Sequence, residues 1–419
     1  MSIRSGDPPA DLRHALDVLL RFGAMMLRAG DTAFRVREWM GVIARGFGLD
    51  ALAVRVSLDG MTATARRGNE QMTLVEEIAP PGIDAWRLGA LERLARAATP
   101  GIAARELEAR LATIAAAPPL CSVGLTAAAV GVASGAFSYL NGGGPLEVVA
   151  AAVGGGVGQW LRSLLFRRRL NQFAVTAVCA VIASGLYCLI MLAFAGVGLA
   201  VPRHAAGFIS SALFLVPGFP LVAGLLDLLQ HQTVAGITRL TYGTTVLLSA
   251  AFGLSLVAAA AGLSAASLPP PHVAELPTLL LRALASAAGG CGFAILYNST
   301  PGTVLAVGGL ALVGNELRLA LHDGGMALAP ATFVGAFAVG LLATMARRRL
   351  PEPRIALTVP GIIIMVPGTY AFQTVVLFEQ GQMLPALQAA ALGGFVVGAM
   401  ALGLAAARFV SERGWLVES

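Results

Sequence analysis

Lysine is absent from the 419-residue chain, so all 29 basic residues are arginines. Charged residues of every kind make up only 12%, about half the share of a soluble globular protein. Most of this chain therefore has no water to face. Aromatic residues are sparse at 6%, which excludes a core filled by large rings. The four cysteines, Cys121, Cys179, Cys188 and Cys291, lie in apolar stretches without metal-ligand spacing, so they read as small apolar residues rather than a metal site or a disulfide framework. Met1 to Arg13 holds no apolar core segment, and no signal peptide is expected there. The run Gly154-Gly155-Gly156 has no following Lys-Ser or Lys-Thr and lies inside an apolar stretch, which excludes a phosphate-binding loop. No cofactor and no metal are expected. The formal net charge of +6 would suit nucleic acid only if it clustered on a soluble face. It does not.

What is present is apolar sequence in long runs, with 57% hydrophobic residues, 50 glycines and a mean hydropathy of +0.76. From Cys121 onward, runs of about twenty residues follow one another, each long enough to cross the hydrocarbon core. The expected spans are 121–140, 146–165, 173–197, 205–229, 233–262, 276–298, 302–321, 328–346, 355–377 and 386–409. Arg162 and Arg167-Arg168-Arg169 follow the second span, Arg347-Arg348-Arg349 and Arg354 the eighth, and Arg408 and Arg413 the tenth. The opposite loops hold Arg203 alone. Positive residues mark the cytoplasmic side, so both termini are expected there. The pairs Gly131/Gly135, Gly154/Gly158 and Gly394/Gly398 let helices approach closely, which speaks for packing rather than chemistry.

Residues 1–117 read differently. Leu12, Leu16, Leu19, Leu20, Gly23, Met26 and Leu27 repeat at helical spacing. Gly30 closes that helix, and Asp31 or Thr32 can cap the next, which runs through Arg35, Glu38 and Ile43. Leu52, Val54, Val56 and Leu58 alternate with other residues as a half-buried strand, and Asp59-Gly60 supplies a two-residue turn. Met61 to Ala65 and Met72 to Ile78 give two more strands, and two helices follow near Asp84–Ala97 and Gly101–Ala116. The expected order is α-α-β-β-β-α-α. With His14 as its one histidine and no nucleophile pattern, this domain reads as structural or regulatory, not enzymatic. Arg35 and Glu38, three apart on a helix, can pair with each other.

An interruption occurs twice in the spans. Val216-Pro217-Gly218-Phe219-Pro220 falls in the middle of the fourth and Val366-Pro367-Gly368-Thr369-Tyr370 in the middle of the ninth. Proline deletes a backbone hydrogen bond, so both helices are expected to break near mid-membrane. The matching places, fourth of five in each half, imply two five-span repeats, and an odd number per repeat forces opposite insertion. Paired broken helices in inverted halves are a secondary-transporter signature. Single prolines often merely kink membrane helices, so the argument rests on the pair.

Polar residues within apolar runs are costly unless paired or wet. Asp227 and Arg239 lie on either side of a short turn and can form an ion pair or close a gate. Tyr297, Asn298, Ser299 and Thr300 precede Pro301-Gly302, the pattern of a broken or re-entrant hairpin. Asn315, Glu316 and Arg318 sit together in the seventh span, and Arg282 reads as an interface anchor. The candidate pathway is Pro217, Gly218, Pro220, Tyr297, Asn298, Thr300, Pro301, Asn315, Pro367, Gly368 and Thr369. Asp227, Arg239, Glu316 and Arg318 are candidates for proton coupling or gating. The competing reading places Asp227, Glu316 and Arg318 at the interface, where they would snorkel.

The segments Gly30-Asp31-Thr32-Ala33-Phe34-Arg35-Val36-Arg37-Glu38, Val216 to Asp227, Gly236-Ile237-Thr238-Arg239-Leu240, Tyr297-Asn298-Ser299-Thr300-Pro301, Val359-Pro360-Gly361 and Val366-Pro367-Gly368, in this order, resemble the threonine/serine exporter family over nearly the whole chain. The resemblance implies a multi-pass protein of the bacterial inner membrane with a cytoplasmic α/β domain (1–117) and two membrane halves (118–265 and 266–419). It implies proton-motive export of small hydroxy amino acids. Some split relatives are linked to dicarboxylate export, which stays open, as does a channel or ligand-sensing role. The expected partners are a small-molecule substrate, protons and the lipid bilayer, with no nucleic acid; a homo-oligomer is left open.

Overall fold

A computed structural model describes residues 12–78, 82–98, 100–168, 170–199, 206–263, 276–350 and 352–412. Arg169, Arg203 and Arg413, used above for topology, lie outside the described residues. The chain divides into two compact units. The first takes in Met1–Leu120 together with Ala223–Arg239 and Pro351–Pro353; the second holds the rest.

In the first unit the order is α1 (Leu12–Arg28), α2 (Ala33–Gly46), β1 (Ala51–Val56), β2 (Gly60–Arg67), β3 (Glu70–Glu77), α3 (Ala85–Arg96) and α4 (Ala104–Ala116). The α-α-β-β-β-α-α expectation holds. The three strands form one antiparallel sheet, β1-β2-β3, with Val56 opposite Met61 and Arg67 opposite Glu70. Alternation decides which face is buried: Met61, Ala63 and Ala65 of β2 are buried, while the Thr64 and Thr73 hydroxyls meet across the other face at 2.8 Å. Those three residues join Leu16, Leu19, Phe22 and Met26 of α1, Met40 and Ile43 of α2, and Leu91, Leu107 and Leu111 in one core. The β1–β2 turn centres on Leu58-Asp59, not Asp59-Gly60. Ser57 N–H donates to the Gly60 carbonyl at 2.9 Å, and the Ser57 hydroxyl donates to Asp59 Oδ1 at 2.6 Å. A side chain that bonds its own turn replaces the positive φ that Asp-Gly would have supplied.

The remaining helices are α5 (Val123–Leu140), α6 (Pro145–Arg167), α7 (Gln172–Gly196), α8 (Ala206–Ser211), α9 (Gly218–Leu229), α10 (Thr233–Ala260), α11 (Leu276–Leu296), α12 (Pro301–Asp323), α13 (Leu328–Ala346), α14 (Arg354–Ile362), α15 (Gly368–Glu379) and α16 (Met383–Ser411). Helices thus occur at all ten expected positions. Among the described residues eight of them are long and apolar enough to cross a membrane, or nine if α14 and α15, bent by 48°, count as one span. The fourth expected span is shorter: α8, a 3₁₀ turn at Leu213–Leu215, then α9. The ninth has the same three parts, with its 3₁₀ turn at Ile363–Met365. Each turn ends where proline removes the next amide, and Gly218 and Gly368 donate only to the Val216 and Val366 carbonyls, both at 2.9 Å. Hydroxyls inside the spans bond back to their own helix, as Thr176 to the Gln172 carbonyl (2.8 Å) and Ser184 to the Ala180 carbonyl (2.7 Å).

Within the second unit, packing recurs between the halves. α6 and α12 are both 23 residues long, with Pro145 and Pro301 at their first positions. α9 and α15 are both 12 residues long. A Cβ on Gly253 would stand 2.5 Å from the Ala177 carbonyl and 2.8 Å from Ala180 Cβ. One on Gly403 would stand 2.5 Å from the Phe333 carbonyl and 2.9 Å from Ala336 Cβ. Gly154 packs against Ala183 and Ser211; the corresponding Leu310, Val339 and Gly361 pack together likewise. Residues of α5 to α7 match those 156 positions later (Pro145 to Pro301, Arg167 to Asp323), and residues of α8 to α10 match those 150 later (Gly218 to Gly368, Thr233 to Met383).

Candidate functional site

The two breaks touch each other. A Cβ on Gly218 would meet Val366 Cγ2 at 2.9 Å and Ile363 Cγ1 at 3.1 Å; one on Gly368 would meet Val216 Cγ2 at 3.2 Å and Leu213 Cδ1 at 3.8 Å. Each break contacts the other through corresponding residues, the self-complementary pattern of a two-fold relation. Apolar side chains close this crossing. A small enclosed void beside it is lined by Val130, Ala133, Ser134, Leu213, Phe214, Gly292 and Phe293. Pro217, Gly218, Pro367 and Gly368 are therefore brought together, with Thr369 buried beside them and Pro220 Cβ facing Gly243. Tyr297 joins from the α11–α12 turn, its ring 5.8 Å from that of Phe219.

That turn is not a re-entrant hairpin. α11 and α12 are both of span length and run antiparallel, since Arg282 bonds Asp323 near one end and Cys291 bonds the Val304 carbonyl near the other. Residues 297–300 form a tight connection. Asn298 takes a left-handed φ of 55°, which its short polar side chain tolerates, and its Oδ1 accepts the Cys121 N–H at 3.3 Å. Thr300 Oγ1 lies 2.9 Å from Thr303 Oγ1, and Pro301 starts α12.

Asn315 and Glu316 stand fifteen or more residues further along α12, about 20 Å away at 1.5 Å per residue. One small ligand cannot touch them and Thr300 at once. Asn315 is fully buried. Its Nδ2 donates to Ser286 Oγ at 2.8 Å, the Ser286 hydroxyl donates to Glu316 Oε1 at 3.0 Å, and Asn315 Oδ1 has no hydrogen-bond partner among the described residues. Arg282 is more than an anchor: it pairs with Asp323 at 2.7 Å and lies 3.7 Å from Glu316. Arg318 stands on the same helix with its Nε shielded and unbonded.

Asp227 and Arg239 belong to a different place, a charged seam in the first unit. Asp227 Oδ1 accepts the Ala33 N–H at 2.8 Å, and Phe34 N–H bonds the same carboxylate, so Asp227 caps the N-terminus of α2. Thr32, at the N-cap position, makes no side-chain cap bond. Arg239 Nη2 donates to the Asp31 carbonyl at 2.7 Å, and its Nε lies 3.5 Å from Asp227 Oδ2. Beneath them Arg35 pairs with Asp31 (2.9 Å) and Glu92 (2.6 Å), not with Glu38, which is exposed. Burial alone would lower the Arg35 pKa, but the two carboxylates more than offset it and hold the guanidinium firmly charged. All five side chains are nine-tenths or more buried.

Span-length apolar helices, two mid-helix breaks in contact and charges kept in small sets define a multi-pass membrane protein. Comparison then gives its family. A family model described as "Putative threonine/serine exporter" matches residues 17–261, and one described as "Threonine/Serine exporter, ThrE" matches residues 282–410. The chain belongs to the threonine/serine exporter family of membrane transport proteins. It is 27% identical over 380 residues to "Probable threonine/serine exporter" of Mycobacterium tuberculosis, covering 87% of this chain and 70% of that one. It is 25% identical over 233 residues to "Probable succinate transporter subunit YjjP" of Klebsiella aerogenes (55% of this chain, 87% of that one). The protein of the same name from Escherichia coli is 24% identical over 239 residues, covering 56% and 90%. No solved structure matches.

Proposed function

We propose that the chain is a secondary active exporter of small hydroxy amino acids, driven by the proton motive force across the bacterial inner membrane, with both termini cytoplasmic. The observation that carries this reading is that each family match contains one broken segment and that the two breaks pack reciprocally. Two five-span repeats of opposite insertion account for that reciprocity, because an odd number of crossings reverses the second half. The closed crossing of Val216–Gly218 on Val366–Gly368 is then the occluded centre of an alternating-access cycle.

In this mechanism the repeats rock about the crossing and open it to one side at a time. The substrate carboxylate meets the half-helix N-terminus of α9 or α15, where the helix dipole favours an anion. The Asn298–Thr300 turn or Asn315 bonds the hydroxyl on one side of the cycle. Glu316, half-buried and reached by the Ser286 hydroxyl, carries the proton. Asp227 and Arg239 act as a gate latch, since their bonds join the end of α9 to α2.

A second substrate class, dicarboxylates, is favoured by the relatives named as succinate transporter subunits. Counterflow in proteoliposomes decides between them: labelled threonine or serine accumulates against unlabelled amino acid, whereas succinate exchange supports the alternative. Unsaturable ion conductance with neither flux would refute the carrier reading. The double variant P217A/P367A restores two amides at the breaks and is expected to abolish flux while the protein still folds. Normal flux in that variant would overturn the mechanism.

A further inference from the structure

Among the arginines inside the second unit's helices, Arg282 pairs with Asp323, Arg354 with Glu412 at 3.0 Å, and Arg408 with Glu412 at 3.2 Å. Apart from the exposed Arg167, two do not follow this rule. Arg162 of α6 and Arg318 of α12 make no hydrogen bond or ion pair among the described residues, and the Nε of each is shut off from solvent. An unpaired guanidinium in such surroundings is costly, so its retention calls for an anion that is present part of the time.

These two arginines occupy corresponding positions. Arg162 lies five residues before the end of α6 at Arg167, and Arg318 five before the end of α12 at Asp323. Each stands one helical turn beyond a glycine that packs on a break. A Cβ on Gly158 would meet Phe214 at 2.7 Å, and one on Gly314 would meet Met365 Cε at 2.9 Å. Residues four apart share a helix face. Both arginines therefore leave their helices from the face that carries the broken segment. At the position corresponding to Cys179 of α7, Gly335 of α13 lies against Arg318: a Cβ there would meet Arg318 Cβ at 3.2 Å.

We infer that Arg162 and Arg318 are the two docking groups for the carboxylate of the transported solute, one near each end of the pathway. The inference rests on the exporter reading above, because opposite insertion is what sends equivalent residues to opposite faces. Arg162 serves the face that bears Arg167 and Arg168; Arg318 serves the other. A guanidinium offers a forked set of donors matched to a carboxylate, and aromatic neighbours help to hold it: Arg162 Cζ lies 5.0 Å over the Phe166 ring. Solute entering from either side thus meets the same chemistry before reaching the half-helix N-termini. The shared requirement is a carboxylate, which threonine, serine and a dicarboxylate all carry.

The test uses the full chain in proteoliposomes sorted by orientation, with labelled threonine and labelled succinate applied to each face in turn. R162Q is expected to raise KM about tenfold or more on the face of Arg167, with less than about twofold change on the other. R318Q is expected to do the reverse. R162K and R318K keep the charge but lose the fork, and should raise KM several-fold on the same faces; they also serve if a glutamine variant does not fold. Equal KM in variant and wild type on both faces, or both variants acting on one face, overturns the inference. So does a phosphatidylglycerol-dependent change in melting temperature with KM unchanged, since the arginines would then anchor lipid phosphate. Wild-type protein that carries neither solute refutes the exporter reading itself. In that case loss of saturable succinate binding in R162Q/R318Q, measured by calorimetry in detergent, still supports docking, and retained binding overturns it.

Discussion

Asp227→Ala should free the N-terminus of α2. In the wild type one buried carboxylate accepts the Ala33 and Phe34 amides and sits 3.5 Å from Arg239. Loss of a helix N-cap by itself costs about 1 kcal/mol. Here the same change strands the Arg239 guanidinium, which keeps only its bond to the Asp31 carbonyl. Removing one partner of a buried pair costs about 3–5 kcal/mol, and the larger figure governs because the orphaned charge stays buried. A loss of about 3 kcal/mol in local opening free energy corresponds to roughly 100-fold faster amide exchange.

Hydrogen exchange by mass spectrometry on the micelle-embedded protein, following peptides over residues 31–46, measures this directly. Asp227→Asn keeps one acceptor oxygen and should fall between wild type and alanine. The double variant D227A/R239A removes the orphan along with its partner. It should exchange more slowly than the sum of the single effects requires, a non-additivity expected for groups in contact. Unchanged protection of residues 33–36 in D227A would refute the capping argument. Strict additivity in the double variant would refute the coupling to Arg239.

Glu316→Gln should abolish uptake driven by a pH gradient while leaving substrate exchange intact; unchanged gradient-driven flux in proteoliposomes would remove Glu316 from proton coupling. Gly253→Ala and Gly403→Ala each press a methyl onto a carbonyl 2.5 Å away and should cost about 1–3 kcal/mol apiece. Because the two surroundings match, their melting temperatures should fall by similar amounts. A large drop for one and none for the other would argue against equivalent halves.

The element order and the breaks were legible because each is written locally. Apolar runs set the helices, alternation set β1, and Val-Pro-Gly set both breaks. Partners far apart in the chain were not legible. Asp31 stands four residues from Arg35, a helical spacing, yet Glu92 is 57 residues away and Asp227 is 194 from Ala33. No local pattern announces such contacts, so Glu38, near but exposed, looked the better partner for Arg35. The likeness of the halves was legible only at the breaks. Elsewhere the recurring feature is which backbones touch: Gly154 with Ser211 in one half becomes Leu310 with Gly361 in the other, the small residue having changed helices. Close packing conserves the summed volume at a contact and leaves open which side supplies it.

The same logic explains where the halves differ in polarity. The positions corresponding to Asp227 and Arg239 are Leu377 and Ala389. The first pair has α2 amides and the Asp31 carbonyl to bond, so charge there is matched. A carboxylate at 377 would have no such amides, and leucine avoids a bare charge. At the start of α6, Glu147 accepts the Gly144 N–H at 2.8 Å through one oxygen and the Tyr187 hydroxyl at 3.3 Å through the other. Its counterpart is Thr303, which meets Thr300 at 2.9 Å at the start of α12. The counterpart of Tyr187 is Ala343, so a glutamate at 303 would leave its second oxygen unbonded. Threonine ties down the first turn with a single hydroxyl and leaves nothing over. Each half thus carries as many polar atoms at its helix starts as its own neighbours can satisfy.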